Sequence, residues 1–362
     1  MQEWDAIVVG ASFAGLAAAM ELAGHGRRAL LIDKDPIGDH QTSACATPLA
    51  VLERLQVTET IEQVHRTLVI HLPGGKVRTF RPRFPFATID YRALCRALAR
   101  QTDAEFLHAR VTGLHEGVIE TAKGPHHAPI VIDASGWRAV VGAATTPQTL
   151  PGPLRTNGLE TVLTGEQDGL HFWVGDRLAA DGYLWDFPAA GKSRIGLIRY
   201  ASGGALKPRL EEFVEAPVDG SALHGGVLPA GLRGGVAGRA FLAGDAAGLC
   251  LPLTGEGIRP ALVFGQIAGR LAARVVDRQL GLDDALAAYD ALVKDRRLAL
   301  KFGILAQVER HMSAMPGPVI GATAWYFGAG PMAARCQAAY WRVAPAEWLR
   351  PGVVASRSAS VS

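Results

Sequence analysis

A complete strand-helix-strand unit fills the first 33 residues, and it narrows the fold more than any other feature. Ala6-Ile7-Val8-Val9 is apolar at every position and reads as a strand buried on both faces. Ala14 to Ala23 is an alanine-rich helix stopped by Gly24 and Gly26, and Ala29 to Ile32 is a second buried strand that ends at Asp33. Two parallel strands need a crossover between them, so this order implies an α/β chain with a doubly wound parallel sheet. Between strand and helix lies Gly10-Ala11-Ser12-Phe13-Ala14-Gly15. Gly10 permits the tight turn, Gly15 lets helix and strand approach, and the helix N-terminus offers free N–H groups and its positive dipole end to a pyrophosphate. Asp33 is placed to accept a hydrogen bond from a ribose hydroxyl. Ser12 stands where a third glycine is usual, which narrows the approach to the phosphate. Gly10, Ser12, Ala14, Gly15, Asp33 and the adjoining Lys34 are the candidate dinucleotide contacts.

The chain has 362 residues, enough for two to three domains, with 49% hydrophobic and 20% charged residues. That composition excludes disordered and fibrous classes. Its 37 basic and 34 acidic residues are scattered along the chain, and no basic footprint for nucleic acid forms. The four cysteines, Cys45, Cys95, Cys250 and Cys336, lie far apart without a C-x-x-C. A disulfide framework, a zinc site and a redox dithiol are therefore not expected, and no histidine spacing suggests a metal. The first residues are acidic and lack a signal peptide's basic start, and no apolar run reaches bilayer length. These features point to a cytoplasmic protein, with membrane-surface association left open.

Further along, Leu68 to Phe80 reads as a hairpin around Gly74-Gly75, outside the first sheet. Tyr91 to Gln101 is helical, and Glu105 to Ala109 and Pro129 to Asp133 are strand-like. From Leu159 to Tyr200 the chain is all-β and implies a separate antiparallel layer. Ala240 to Ala243 is a buried strand running into a Gly/Pro loop and a helix from Ile258 to Asp277. The remainder, Asp283 to Arg350, is helical. Its stretch from Met312 to Trp348 is rich in aromatic residues, among them Trp325, Tyr326, Phe327, Tyr340, Trp341 and Trp348, and reads as helical core, a subunit contact or a membrane contact. Ser356 to Ser362 reads as a disordered tail.

The segment Phe241-Leu242-Ala243-Gly244-Asp245-Ala246-Ala247-Gly248, continuing to Pro252-Leu253-Thr254-Gly255-Glu256-Gly257-Ile258, resembles the FAD-dependent oxidoreductases of the p-hydroxybenzoate hydroxylase structural class. The resemblance implies bound FAD, with Asp245 on the ribityl chain and Gly244, Pro252, Gly255, Gly257 and Ile258 at the flavin, where a helix N-terminus faces the pyrimidine ring. Ile132-Asp133-Ala134-Ser135-Gly136 resembles the class's internal D-x-x-G motif, with Ala139 and Gly142 where a serine and an arginine are usual. It makes Asp133 either a cofactor contact or the end of a buried strand. Arg92, opening a helix, is similar to a basic residue that reaches the cofactor in that class, and reads equally as a surface arginine.

Tyr183-Leu184-Trp185-Asp186-Phe187-Pro188 resembles the Y-x-W-x-F-P motif of the geranylgeranyl reductase family, flavoproteins that saturate isoprenoid double bonds. Strand alternation puts Tyr183, Trp185 and Phe187 on one face, as a substrate wall or as the buried side of a sheet. Cys45 lies where reductases of this family carry a cysteine near the flavin, and also reads as a plain buried thiol. The resemblance implies hydride transfer from flavin N5 to an apolar, prenyl-lipid type of substrate. Cys45, Tyr183 or water would be the proton donor, and NAD(P)H or a small redox protein the reductant. It further implies a Rossmann-type FAD-binding domain made of residues 1–66, 86–150 and 235–282. An inserted antiparallel substrate domain takes 67–85 and 151–234, followed by a helical region over 283–355 and the tail 356–362. Two other chemistries fit the same fold: an aromatic monooxygenase or halogenase, and a flavoprotein without net redox turnover, cyclase-like or binding. The halogenase reading expects a W-x-W-x-I-P motif, where this chain has Tyr183 and Phe187.

Overall fold

A computed structural model describes residues 3–23, 26–115, 117–145, 154–165, 167–175, 177–200, 205–315, 318–320, 322, 330, 333–345 and 348. The Ser356 to Ser362 tail, Trp325, Tyr326, Phe327 and most of the stretch before Gly330 lie outside these residues. The opening strand, Ala6–Val9, is buried at every position and occupies the middle of a six-stranded sheet. The spatial order is Val236–Ala237, Ala240–Leu242, Ile130–Asp133, Ala6–Val9, Ala29–Asp33 and Glu105–His108, parallel throughout except for the short Val236–Ala237 edge. Buried apolar side chains line both faces of this sheet, which explains why its central strands read as continuous apolar runs rather than alternating ones.

Two helices meet on one face. The first helix, Phe13–Leu22, packs along Ile258–Val276 at a separation that glycine makes possible. A Cβ on Gly265 would stand 2.2 Å from the Ala14 carbonyl oxygen, and one on Gly269 would stand 2.3 Å from that of Ala18. The N-terminal and late motifs, distant in sequence, are thereby brought side by side.

The second large sheet has seven strands, in the order His224–Ala230, Leu154–Thr164, Lys192–Arg199, Gly182–Pro188, Leu170–Val174, Leu68–Leu72 and Lys76–Phe80. The hairpin Leu68 to Phe80 thus joins the strands of the all-β region. One pair departs from the expected antiparallel layer: Leu170–Val174 runs parallel to Leu68–Leu72, because those strands come from separate parts of the chain and no turn joins them. One face of this sheet is covered by the helix Lys207–Val214, whose Leu210 and Phe213 pack on Leu184, Leu197 and Trp173. The other face carries Leu170, Trp185, Phe187 and Ile198.

Two small sheets were not expected from the sequence. One is a meander of Val111–His115, Val118–Thr121 and Gly124–His127, and the other pairs Ala46–Pro48 and Ile61–His65 with Phe86–Ile89. Their strands are short and half-polar, so neither period stands out. Among the described residues the C-terminal helices include Leu282–Val293, Arg296–His311 and Ala333–Trp341; Asp295 separates the first two by capping Arg297 and Leu298 N–H. Among the described residues no helix is long and apolar enough to cross a membrane.

The crossing yields a contrast in unfolding experiments. Gly269→Val forces backbones apart and is expected to lose about 3 kcal/mol in urea denaturation. Gly303→Ala, on an exposed helix with open space around it, is expected to gain roughly 0.5–1 kcal/mol.

Candidate cofactor and substrate site

The turn after the opening strand is shaped by two close approaches. Gly10 has φ +106°, and a Cβ there would lie 2.2 Å from the Ala134 carbonyl oxygen. One on Gly15 would lie 1.7 Å from the Gly10 carbonyl oxygen, so neither position tolerates a side chain. Ser12 is the N-cap of the first helix, yet its hydroxyl caps nothing and sits 3.0 Å from the Tyr91 hydroxyl. With that side chain turned aside, the first-turn N–H groups are left for an anion. Asp33 fixes the turn by accepting the Ala11 N–H at 2.6 Å and the Asp35 N–H at 2.9 Å. Lys34 pairs with Asp35 at the surface.

The second motif abuts the first: Gly244 has φ +60°, and a Cβ on it would sit 2.9 Å from the Ala14 Cβ. Asp245 follows, and its carboxylate accepts no hydrogen bond from the described residues; burial raises its pKa to about 6, opposed by Arg233. Gly257 lies beside it, its Cβ position 3.7 Å from Asp245 Oδ1 and 3.5 Å from Cys250 Sγ. Pro252 is buried inside the loop, and Ile258 begins the long helix. The loop between them is held on every side. Leu253, at φ +69°, donates its N–H to Glu309 Oε2 at 2.6 Å, and its carbonyl accepts the Tyr200 hydroxyl. The Thr254 carbonyl accepts the Tyr183 hydroxyl at 2.5 Å, and its side chain meets the Tyr340 hydroxyl at 2.6 Å. The geometry fits FAD: a glycine-gated anion cradle, a half-buried carboxylate with no hydrogen bond from the described residues, and a rigid loop at a helix N-terminus.

Two motif residues are engaged with partners inside the protein. Asp133 is fully buried, and both oxygens are committed: Oδ1 accepts the Ser135 N–H and hydroxyl, and Oδ2 accepts the N–H groups of Val141 and Gly142. A direct contact with the cofactor is corrected by that saturation; Asp133 shapes the turn beside Gly10 instead. Arg92 is half exposed and pairs with Asp39 at 3.3 Å, the geometry of a surface arginine.

Tyr183, Trp185 and Phe187 share the inner face as expected, with successive ring centroids 6.0 and 6.1 Å apart. Trp185 and Phe187 are nearly buried, packed with Phe86, Phe172 and Leu170. Tyr183 lies next to the flavin loop, its hydroxyl 3.6 Å from the Gly255 Cβ position. Burial raises its pKa, and its proton is engaged with Thr254, so Tyr183 holds the loop as a neutral phenol. Cys45 is fully buried at φ +58° and directs its thiol to the Ser43 carbonyl oxygen at 3.2 Å. Burial drives the thiol pKa upward, so it stays protonated.

A buried polar network was missed by the sequence reading. Glu160 accepts His224 Nε2–H at 2.7 Å, Trp185 Nε1–H at 2.9 Å and Arg194 at 3.4 Å. Arg194 also binds Glu62 at 3.1 Å and the Ile89 carbonyl at 3.2 Å, and its charge acts on Cys45. The network thus ties the aromatic row to the thiol. Alternation alone gave no signal, because it sets Glu160 on the phase opposite Leu159 and Leu163, which reads as the solvent side.

A family model described as FAD binding domain matches residues 5–76. The chain is 31% identical over 332 residues to digeranylgeranylglycerophospholipid reductase 2 of Methanopyrus kandleri, with 81% of this chain and 82% of the relative covered. Among solved structures, a geranylgeranyl bacteriochlorophyll reductase-like protein of Thermoplasma acidophilum superposes with a TM-score of 0.78 at 20% identity, covering 89% of this chain and 90% of the other. The p-nitrophenol 4-monooxygenase of Pseudomonas putida gives 0.70 at 14% identity over 95% of both chains. At these identities the structural likenesses speak for the fold alone.

Because the folded Asp245 carboxyl holds its proton up to about pH 6, ionising it opposes folding as pH rises from about 4 through 6. Asp245→Asn apoprotein is expected to melt higher than wild type near pH 8, to match it near pH 4, and to retain less FAD by absorbance. Glu160→Ala leaves Arg194 buried with Glu62 as its remaining carboxylate partner, and is expected to lose about 3 kcal/mol in urea unfolding.

Proposed function

The chain belongs to the geranylgeranyl reductase family of FAD-dependent oxidoreductases, and on that premise we propose that it saturates carbon–carbon double bonds of a prenyl substrate. The observation that carries this reading is the inner-face aromatic row meeting the flavin loop at Tyr183 and Gly255. When bound and reduced, FAD supplies a hydride to one alkene carbon, while the other carbon takes a proton. The residues' part is binding, orientation and dryness. Gly10, Gly15 and the first helix hold the pyrophosphate; Asp245 takes a ribityl hydroxyl; Tyr183 fixes the loop through Thr254.

Trp185 and Phe187 supply an apolar wall that excludes water where the alkene lies. The proton comes from water or from Cys45, whose raised thiol pKa and hydrogen bond to the Ser43 carbonyl make it a poor acid. One glycine-rich nucleotide cradle supports an external reductant, NAD(P)H or a small redox protein, that visits the flavin. A prenyl-lipid substrate also fits a protein working at a membrane surface.

Anaerobic reduction of the holoprotein followed by rapid mixing tests the reading. Geranylgeranyl diphosphate or a geranylgeranyl lipid is expected to reoxidise the flavin within turnover times, with a saturated product seen by mass spectrometry. Reoxidation by oxygen alone, with a hydroxylated aromatic product, would replace this reading with a monooxygenase.

A further inference from the structure

Three glycines occupy neighbouring ladder positions on the inner face of the seven-stranded sheet, and among the described residues only Gly196 has a side chain pressed into its Cβ position. A Cβ on Gly196 would stand 2.3 Å from the Trp185 indole, which lies across that position to reach Glu160. Gly158 and Gly226 are paired with each other, and Gly158 faces Ile198 on its other side. A Cβ on Gly158 would meet the Leu197 carbonyl oxygen at 3.8 Å and nothing nearer among the described residues; one on Gly226 would meet Thr42 at 3.8 Å. Neither has a left-handed φ, in contrast with Gly225 at +154°, whose Cβ would strike the Gly158 carbonyl oxygen. Backbone geometry therefore does not call for glycine at either position. A β-branched residue there would favour the strand, and glycine weakens it. Glycine in a strand interior goes with a bulge, a tight bend or the close approach of a ligand or another backbone, and the ladder at these positions runs without a register shift.

The bare strip opens toward the flavin loop. The Gly255 Cβ position lies 2.9 Å from Ile198 Cδ1, the ladder neighbour of Gly158, and 3.5 Å from Leu228 Cδ1, two residues beyond Gly226. At its other end Glu160 and His224 are joined by their hydrogen bond. The floor is backbone, and the strand Leu154–Thr164 is paired on both sides, so its N–H and C=O groups are satisfied in the sheet. Such a floor suits a flat hydrocarbon better than a polar ligand.

We infer that Gly158 and Gly226 floor the slot in which the prenyl chain lies beside the flavin loop, and that their missing side chains set the thickness of chain admitted. The inference rests on the reductase reading above. A single added carbon raises the floor by about 1.5 Å, enough to displace a methyl-branched alkene from the loop.

Two measurements on the full-length holoprotein separate this inference from that reading. The first titrates the oxidised holoprotein with geranylgeraniol and follows the flavin absorbance; the second is anaerobic reoxidation of reduced holoprotein by geranylgeranyl diphosphate. Gly158→Val and Gly226→Val are expected to weaken binding and slow reoxidation at least about tenfold, with FAD content kept and the melting temperature unchanged or raised. The smaller Gly158→Ala and Gly226→Ala should give a graded loss, and they stand in if a valine variant fails to fold. Valine variants that bind and reoxidise like wild type overturn the slot, as does a wild type whose flavin does not respond to geranylgeraniol. Wild type that binds but is not reoxidised defeats the reductase reading alone, and the slot is then decided by the titration of the variants.

Discussion

The backbones of the first helix and of Ile258–Val276 touch, because Gly265 and Gly269 have no side chain where Ala14 and Ala18 present their carbonyl oxygens. That contact places Gly244 against Ala14 and so brings the pyrophosphate cradle and the flavin loop to one cofactor. A wider crossing would keep both motifs and separate them. The six-stranded sheet beneath adds the second constraint: Ala6–Val9 and Ala240–Leu242 flank Ile130–Asp133, and the saturated Asp133 carboxylate organises the turn beside Gly10.

The flavin loop is rigid for a different reason. Leu253 sits in a left-handed conformation that costs a leucine energy, and its N–H and carbonyl are bonded to Glu309 and Tyr200. Tyr183 and Tyr340 hold Thr254 from the sheet and from the last helix. The helical C-terminal region, which offered no recognisable motif, thereby takes part in shaping the cofactor site. On the inner side of the sheet, the Glu160–Arg194–Glu62 group buries charge at a desolvation cost offset by its mutual pairing and by hydrogen bonds with Trp185, His224 and the Ile89 carbonyl.

Much of this was legible in the sequence because the signals were local. Continuous apolar runs gave the central parallel strands, and the glycine-rich turn and the aspartate after the second strand gave the nucleotide cradle. The Y-x-W-x-F-P alternation gave one shared face for Tyr183, Trp185 and Phe187. The unread parts depend on contacts between distant segments. Asp133 read equally as a cofactor contact or a buried strand end, and Arg92 as a cofactor contact or a surface arginine; the four internal hydrogen bonds of Asp133 and the Arg92–Asp39 pair come from contacts the local pattern does not contain. Glu160, Arg194 and His224 lie on three different strands and form a site only through strand pairing. The parallel pair of Leu170–Val174 with Leu68–Leu72 has the same origin.

The strand order also has a consequence for synthesis from the N-terminus. Ala6–Val9 emerges before Ala29–Asp33 and pairs with it, but its other edge stays open until Ile130–Asp133 emerges. At about 5–20 residues per second that delay is on the order of ten seconds, during which an entirely apolar strand presents an unpaired edge. The sheet then waits for Ala240–Leu242, and the loop that completes the cofactor site waits for Tyr340. Completion of the cofactor site therefore comes long after the first strand pair has formed.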